Sequence, residues 1–216
     1  GKHPTAEQGK YLVLRFNFSM VRATDDKLEA AFNRHISLET AYFASVYASY
    51  FKPDFQEQLK LIPEAAGRLE YICLCAKEQG LSIYLLIDEY DNFTNTILSS
   101  KGNDVYHSLT HDSGFYRSFF NVVKGVTTGA EAPVKRMFIT GVSPVTLDDV
   151  TSGFNIGTNI TTDERFNSMV GFSESELHEM LSYYQSEGML VDSIDDIVRM
   201  MKPWYDNYCF AKECIG

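Results

Sequence analysis

The 216-residue sequence lacks several features that would point to particular classes of protein. It has no excess of positive charge, since 19 Lys and Arg stand against 29 Asp and Glu and the net charge is −10. That balance argues against a broad basic surface for nucleic acid, although it leaves room for a local basic groove. No run of roughly 18 apolar residues is present, so no membrane-spanning helix is predicted. The N-terminus has no basic-then-apolar secretion signal, and we expect a cytoplasmic protein.

Cysteine motifs that bind metals are also missing. The four cysteines form no C-x-x-C pair, and they stand at Cys73, Cys75, Cys209 and Cys214. Cys73 and Cys75 fall in a helical pattern, where side chains two positions apart point away from each other. We therefore favour free thiols in a reducing compartment over a zinc site.

The sequence does contain an alternation of apolar strands and amphipathic helices. Strands are predicted at residues 11–19, 82–87 and 134–140. Helices are predicted from the acidic segment 24–26 to Pro53, then up to Gln79 with a break at Pro63, and at residues 115–124, 173–188 and 194–201. Strands separated by helices predict an α/β fold with a mostly parallel sheet flanked by helices.

Two of these helices carry specific signals. The long first helix has an apolar stripe, predicted to face the core, at Leu28, Ala31, Phe32, His35, Leu38, Tyr42, Val46 and Tyr50. Ser173 and Glu176 predict a capping box at the start of a later helix. Residues 98–114 form a polar stretch for which we predict no helix, and residues 146–170 read as a long, weakly structured connection.

Residues 83–93 read IYLLIDEYDNF, an apolar strand that ends on Asp88 and Glu89. Its doubly apolar character predicts a strand inside the sheet with helices on both faces. Ligands of open α/β sheets bind beyond the carboxyl ends of the strands. A nucleotide hydrolase needs one carboxylate near Mg²⁺ and another to orient or deprotonate the attacking water. Asp88 would serve the metal and Glu89 the water, while an ordinary acidic turn is the alternative.

The segment FITGVSPV forms a second strand end with hydroxyl residues, Thr140 and Ser143, around Gly141. Such residues beside the acidic strand could sense a γ-phosphate or hold the attacking water. An ordinary strand-to-helix turn capped by Ser143 is the alternative interpretation.

Taken together, LLIDEYD and FITGVSP resemble the bacterial AAA-ATPase-like family. Its members are P-loop ATPases that often carry a C-terminal nuclease-like domain of the PD-(D/E)XK type. The resemblance runs from the first strand to about residue 210. It implies an incomplete P-loop NTPase-like core over residues 1–165 and a small helical lid over residues 166–216.

The resemblance also implies roles for individual residues. Asp88 and Glu89 match the Walker B pair, with Asp88 on the metal and Glu89 catalytic. Thr140 stands where the family has a polar sensor, so Thr140 and Ser143 would contact the nucleotide. ATP and Mg²⁺ are the implied cofactors of the full-length protein.

The sequence departs from the family pattern in two places. Asn92-Phe93 stands where many relatives have Ala-Pro. The phosphate-binding motif G-x-x-x-x-G-K-[ST] is absent, since Gly9-Lys10 is followed by Tyr11 and has Pro4 in place of the first glycine. We therefore expect a fragment that begins after the phosphate loop and neither binds nor hydrolyses ATP alone. A strand followed by GKS or GKT upstream of Gly1 would settle the class.

The expected partners follow from the same resemblance. They are an unknown macromolecule, with nucleic acid reached through a further C-terminal domain as one option, and no membrane. Without a strand beside residues 134–140, the open sheet edge predicts self-association or cover by the C-terminal segment.

Other interpretations remain open. The chain could be a non-catalytic interaction module on an α/β frame, or a metal-dependent hydrolase that uses Asp88, Glu89 and Asp91 directly. His107 and His111 have the spacing of a helical metal site but no glutamate between them, which favours a polar segment. The aromatic segment WYDNY, residues 204–208, could stack on bases but is more typical of a core.

Overall fold

The computed structural model describes residues 4–21, 27–110, 114–142, 156–167, 169 and 171–205. The chain divides into two compact units, Gly1–Gly157 and Thr158–Gly216. The functional division into a core of residues 1–165 and a lid of residues 166–216 stays a prediction.

A three-stranded parallel sheet forms the frame of the first unit. The strands are β1, Leu12–Asn17; β2, Ile83–Asp88; and β3, Val134–Ile139, in the spatial order β1-β2-β3. The predicted α/β class with a parallel sheet is therefore confirmed. β2 lies in the middle, so the strand that carries the acids is inside the sheet, as its apolar run predicts.

The helices of the first unit follow the predicted order, with two additions. They are α1, Leu28–Val46; α2, Phe55–Lys60; α3, Ala65–Glu78; α4, Asn92–Lys101; α5, Asn103–Thr110; and α6, Phe115–Thr127. Short 3₁₀ turns at Phe18–Met20 and Ala48–Tyr50 follow β1 and α1.

The prediction of no helix in residues 98–114 is wrong. Parts of α4 and α5 occupy that stretch, and each buries a threonine beside its apolar residues. Thr94 and Thr110 are fully buried, and their hydroxyl groups donate to the backbone carbonyls of Asp91 and Tyr106, both at 3.0 Å. A polar residue whose hydroxyl is bonded within its own helix can replace an apolar residue in the buried stripe.

The core lies on one face of the sheet. Alternate residues of β1 and β2 point into it and are buried: Leu12, Leu14, Phe16, Ile83, Leu85 and Ile87. Aromatic rings extend this core, with Phe16 at 5.6 Å from Phe119 and Phe18 at 5.4 Å from Phe32, centroid to centroid. These edge-to-face contacts join β1 to α6, and the 3₁₀ turn after β1 to α1.

The opposite face of the sheet is less covered. Val13 is 42% exposed, Arg15 is exposed, and Tyr84 and Leu86 are half-buried. The apolar run of β2 therefore overstated the cover on this second face. Asp88 belongs to the same face, because it continues the alternation from Tyr84 and Leu86.

The predicted stripe of α1 is correct in its first half and wrong in its second. Leu28, Phe32 and His35 are buried, and the buried face continues through Ile36, Thr40, Phe43 and Ala44. Ala31 is half-buried, and the four remaining predicted members are exposed, namely Leu38, Tyr42, Val46 and Tyr50. Phe32, His35 and Leu38 follow one another in steps of three residues, and each step falls about 60° short of a full turn, so the row leaves the buried face at Leu38.

The two sheet edges differ in their cover. On β1, the Val13 N–H donates to the Tyr47 hydroxyl at 3.0 Å, so a side chain partly satisfies this edge. Among the described residues no strand pairs with the outer side of β3. Lys135 and Arg136 are exposed there, while Met137 to Ile139 are half-buried. Self-association through this edge stays a prediction.

The second unit contains α7, Glu174–Ser186, and α8, Ile194–Tyr205, after a 3₁₀ turn at Glu164–Phe166. The predicted capping box is confirmed: the Ser173 N–H donates to Glu176 Oε2 at 2.8 Å, and the Glu176 N–H donates to Ser173 Oγ at 3.3 Å. α8 runs beyond its predicted end and includes Pro203. Trp204 and Tyr205 are 79% and 69% exposed, so the described part of the aromatic segment is not core. No described helix is long and apolar enough to cross a membrane.

Candidate functional site

The candidate site begins at the carboxyl end of β2. Asp88 is the last residue of the strand, and Glu89 follows with φ 51°, the only positive φ recorded for a residue other than glycine in the described chain. An L-residue adopts this left-handed backbone only where its surroundings hold it there. The Asn92 N–H donates to the Glu89 carbonyl at 3.0 Å and closes the turn that leads into α4. We call residues 88–92 the acidic turn.

Thr140 joins this turn from the end of β3. Its hydroxyl donates to Asp88 Oδ1 at 2.6 Å, and its Oγ1 lies 3.4 Å from the Glu89 N–H that points to it. Backbone bonds fix the same contact, because the Thr140 N–H donates to the Ile87 carbonyl at 2.8 Å and its carbonyl accepts from Tyr90 N–H at 3.1 Å. The structure therefore joins the side chains of the predicted Asp88 and Thr140, and it brings the backbone of Glu89 to the same point. Ser143, the fourth predicted site residue, lies outside the described residues.

Arg15 approaches Asp88 from the neighbouring strand β1. Its Nη2 lies 3.4 Å from Asp88 Oδ2, and the two side chains are 62% and 41% exposed. Solvent screens such a pair, so it contributes little to stability. The position of Arg15 is nevertheless important, because its positive charge lies beside Asp88, the carboxylate predicted to hold the metal. Sequence reasoning missed Arg15, although its polar position in an alternating strand placed it on the face opposite the core.

Asp91, the third acid of the turn, points inward. It is 1% exposed, and the Val142 N–H donates to its two carboxylate oxygens at 3.1 and 3.0 Å. The side-chain amide of Asn95 donates to Oδ2 at 3.1 Å. A buried carboxylate requires such donors, because the low-polarity interior otherwise disfavours its charge.

Gly141 makes the contact between the two turns possible. A Cβ at this position would lie 2.3 Å from Tyr90 Cε1 and 2.7 Å from Asp91 Oδ1, far inside contact distance. The backbone of Tyr90 is also fixed, because its carbonyl accepts a hydrogen bond from the buried Tyr116 hydroxyl. Burial raises the pKa of Tyr116 well above its usual value, so this hydroxyl stays a donor.

A small polar cavity of about 240 Å³ opens beside the acidic turn. Its lining residues are polar or acidic except for one valine: Glu89, Asp91, Asn92, Asn95, Thr96, Ser99 and Val142. Glu89 is the member of the predicted site that faces this space. The cavity therefore places water-binding groups next to the predicted catalytic carboxylate.

The described residues contain no group of three or more His, Cys, Asp or Glu that could hold a metal ion. Cys73 and Cys75 are free, and burial raises the pKa of the Cys73 thiol to about 12, which disfavours metal binding. His107 lies on α5, whereas its predicted partner His111 and the flanking Asp112 are outside the described residues.

The site nevertheless fits Mg²⁺ as nucleotide hydrolases bind it. Mg²⁺ usually keeps several waters and takes only one or two carboxylates, together with substrate phosphates. Asp88 is a suitable ligand, because among the described residues the one polar contact recorded for its Oδ2 is a long one, 3.4 Å from Nη2 of the exposed Arg15. Asp88 Oδ1 and the Thr140 hydroxyl are already engaged with each other, so Oδ2 is the oxygen that would face the ion.

The carboxyl ends of the adjacent parallel strands β2 and β3 bring Asp88, Glu89 and Thr140 to one end of the sheet. The chain is thus an α/β protein with a candidate ligand site at that end. A sequence model of the AAA-ATPase-like family, described as predicted AAA-ATPase, matches residues 1–151, and the chain belongs to that family. The resemblance found in the sequence is thereby confirmed at the level of the family. Comparison with curated proteins and with solved structures gave no match in either case.

Proposed function

We propose that the chain supplies the metal-side and water-side groups of an ATP-hydrolysing site. The observation that supports this best is the 2.6 Å hydrogen bond from the Thr140 hydroxyl to Asp88 Oδ1, which links the ends of two adjacent parallel strands. Membership of a predicted AAA-ATPase family makes ATP the expected nucleotide.

Each residue has a distinct role in this proposal. Asp88 Oδ2 holds Mg²⁺, directly or through a bound water, and the ion neutralises phosphate charge when it is bound. Glu89 orients the attacking water or accepts its proton. Thr140 fixes the orientation of Asp88 and, through its contact with the Glu89 N–H, couples the two acids.

Phosphate binding needs a further element. The 216 residues contain no G-x-x-x-x-G-K-[ST] loop, whose backbone N–H groups hold phosphates in P-loop enzymes. The proposal therefore assigns residues to the metal ion and to the attacking water. It assigns none of these residues to phosphate binding, which would need a loop from other sequence or from another chain. The macromolecule on which the full-length protein acts stays a proposal of the same kind.

A metal-dependent hydrolase that uses Asp88, Glu89 and Asp91 together is a weaker alternative. Both oxygens of Asp91 accept the Val142 N–H, and the side chain is 1% exposed. Asp91 would have to leave these donors before it could bind an ion. A non-catalytic interaction module predicts no specific metal binding at Asp88, which an experiment can test.

Manganese(II) is a suitable probe, because it replaces Mg²⁺ and broadens nearby NMR signals. We expect titration with Mn²⁺ to broaden the Glu89 and Thr140 amide signals in the wild type. Asp88→Asn should remove this selective broadening. Asp104→Asn, which changes an exposed acid on α5, should retain it. Equal broadening in all three proteins would contradict the proposal.

Nucleotide provides a second test. We expect Mg-ATP to leave the melting temperature of this chain unchanged, because the phosphate loop is absent from its sequence. A ligand specific for the native state would stabilise it by about 2.7 kcal/mol at 100 times its Kd. A clear Mg-ATP-dependent rise in Tm, lost in Asp88→Asn, would show that phosphate binding does not need that loop.

A further inference from the structure

We infer that Asp91 is a positioning residue that holds Thr140, and through it Asp88 and Glu89, by binding the backbone N–H of Val142. The inference deepens the proposed function and rests on it for the roles of Asp88 and Glu89. It assigns a purpose to the third acid of the turn, which had a role in the sequence-based predictions only in the alternative of a metal-dependent hydrolase.

The burial of Asp91 makes its contact with Val142 obligatory. At 1% exposure the carboxylate has almost no access to water, so protein donors must satisfy it. The Val142 N–H reaches both oxygens, and Asn95 supplies another donor. An inward-facing carboxylate on the acidic turn thus binds the backbone just beyond β3.

The side chain of Val142 plays no part in this contact. It is 89% exposed, so the residue is held by its amide and not by packing. Gly141, one position earlier, allows the approach because a Cβ there would overlap Tyr90 and Asp91 Oδ1. The two sequence motifs LLIDEYD and FITGVSP therefore contain the two halves of one contact, with Asp91 in the first and Gly141-Val142 in the second.

The contact reaches the candidate site in one step along the chain. Thr140 precedes Gly141 and forms bonds with both acids, to Asp88 Oδ1 at 2.6 Å and with the Glu89 N–H at 3.4 Å. Loss of the anchor at Val142 would free the chain just beyond β3 and leave Thr140 held by its own bonds to Ile87, Tyr90 and Asp88, so we expect its hydroxyl to be less firmly fixed. Asp91 thus affects the metal-side oxygen without touching the ion.

Val142→Pro deletes the donor directly, because proline has no N–H. Val142→Ala is its matched control, since it trims the same exposed side chain and keeps the N–H. Gly141→Ala opposes the contact from a second position by inserting a Cβ. Its control is Gly125→Ala on α6, where an added Cβ meets no atom within 4 Å.

The first readout is amide hydrogen exchange, which does not depend on a metal. In Val142→Pro and Gly141→Ala we expect the Tyr90 and Thr140 amides to exchange at least about tenfold faster. Both controls should match the wild type, and the Leu12 amide, bonded to Ser82 at the start of β1, should be unchanged in every variant. Exchange of Tyr90 and Thr140 in Val142→Pro at the rate seen in Val142→Ala would overturn the inference.

The second readout is the Mn²⁺ dissociation constant, taken from the broadening of the Glu89 signal. We expect both variants to weaken Mn²⁺ binding by about tenfold, as for other residues that orient a metal ligand. Leu59→Ala, which damages the core under α2, should leave the constant unchanged although it lowers stability. An equal loss of Mn²⁺ affinity in Leu59→Ala would mean that Asp91 contributes only to general stability, and the inference would fail.

The two readouts separate the two proposals. If the wild type shows no Mn²⁺ binding at Asp88, the proposed function fails, while faster exchange at Tyr90 and Thr140 would still support the positioning contact. If Mn²⁺ binds at Asp88 and both constants and exchange rates are insensitive to Val142→Pro, the proposed function stands and the inference about Asp91 fails.

Discussion

The two faces of the three-stranded sheet carry different kinds of residue, although the same strands form both. Leu14 and Phe16 on β1 are fully buried on one face, whereas Val13 is 42% exposed and Arg15 is exposed on the other. Asp88 at the end of β2 belongs to the more open face. Because successive residues of a strand alternate sides, one short segment provides both a core surface and a polar surface.

This difference teaches where the chain can tolerate change. On the buried face a lost methylene group leaves a cavity, because neighbouring rings of α1 and α6 pack against it. On the open face, solvent and flexible side chains can adjust. Stability should therefore depend on the buried face, and ligand binding on the open one.

The largest expected effect is that of Phe16→Ala, which truncates a fully buried ring in contact with Phe119. We expect the free energy of unfolding to fall by about 3–5 kcal/mol. Val13→Ala, three residues away and on the open face, should lower it by about 1 kcal/mol or less. Chemical denaturation followed by circular dichroism measures both changes, and similar losses for the two variants would show that the faces are equally packed.

A smaller effect should come from His35, a polar residue on the buried side. Burial lowers the pKa of His35 below its usual value of 6.5, while Glu39, with an oxygen 4.0 Å from Nε2, and a hydrogen bond to the Asn17 backbone oppose this shift more weakly. Below pH 6.5 the unfolded chain therefore binds a proton that the folded chain resists. Stability from this group is present above pH 6.5 and is lost as pH falls toward the lowered pKa.

The test compares the pH dependence of unfolding in the wild type and in His35→Gln between pH 8 and pH 5. We expect the wild type to lose more stability than the variant as pH falls below about 6.5. Identical slopes in the two proteins would mean that His35 is protonated as readily in the folded chain as in the unfolded one.

The smallest effect on stability should come from Arg15→Gln on the open face. Its ion pair with Asp88 is exposed, so unfolding should change by no more than about 0.5 kcal/mol. Mn²⁺ affinity at Asp88 should instead rise by about two- to fivefold, because a competing positive charge is removed. Arg34→Gln removes the same charge from the exposed side of α1 and serves as the control. An equal gain in Arg34→Gln would indicate only an effect of net charge.

Sequence patterns predicted the elements whose residues repeat a simple rule. Short apolar runs located all three described strands within a few residues, and Ser173 with Glu176 located the start of α7. Predictions failed where one pattern was compatible with two different buried faces. The row Leu38, Tyr42 and Val46 on α1 is as apolar as the buried row, and only the position of the sheet decides which row faces the core.

The candidate site was predictable in its residue types and not in their arrangement. Asp88 and Thr140 meet because they follow adjacent parallel strands, whose carboxyl ends lie at the same end of the sheet. Nothing in the order of the three acids indicates that Asp91 turns inward, because that orientation depends on the Val142 amide some fifty positions later. Arg15 was missed for the same reason, as its partner is 73 residues away.

The left-handed backbone of Glu89 has a consequence for selection experiments. A residue with a Cβ is disfavoured in this conformation by about 1–2 kcal/mol, whereas glycine is not. Glu89→Gly should therefore leave the fold as stable as the wild type or more stable, although it deletes the proposed water-side carboxylate. A library screened for heat resistance alone should accumulate glycine or asparagine at position 89. Under the proposed function, a library screened for ATP hydrolysis with a phosphate-binding loop supplied should retain glutamate, so the two populations would diverge at this single codon.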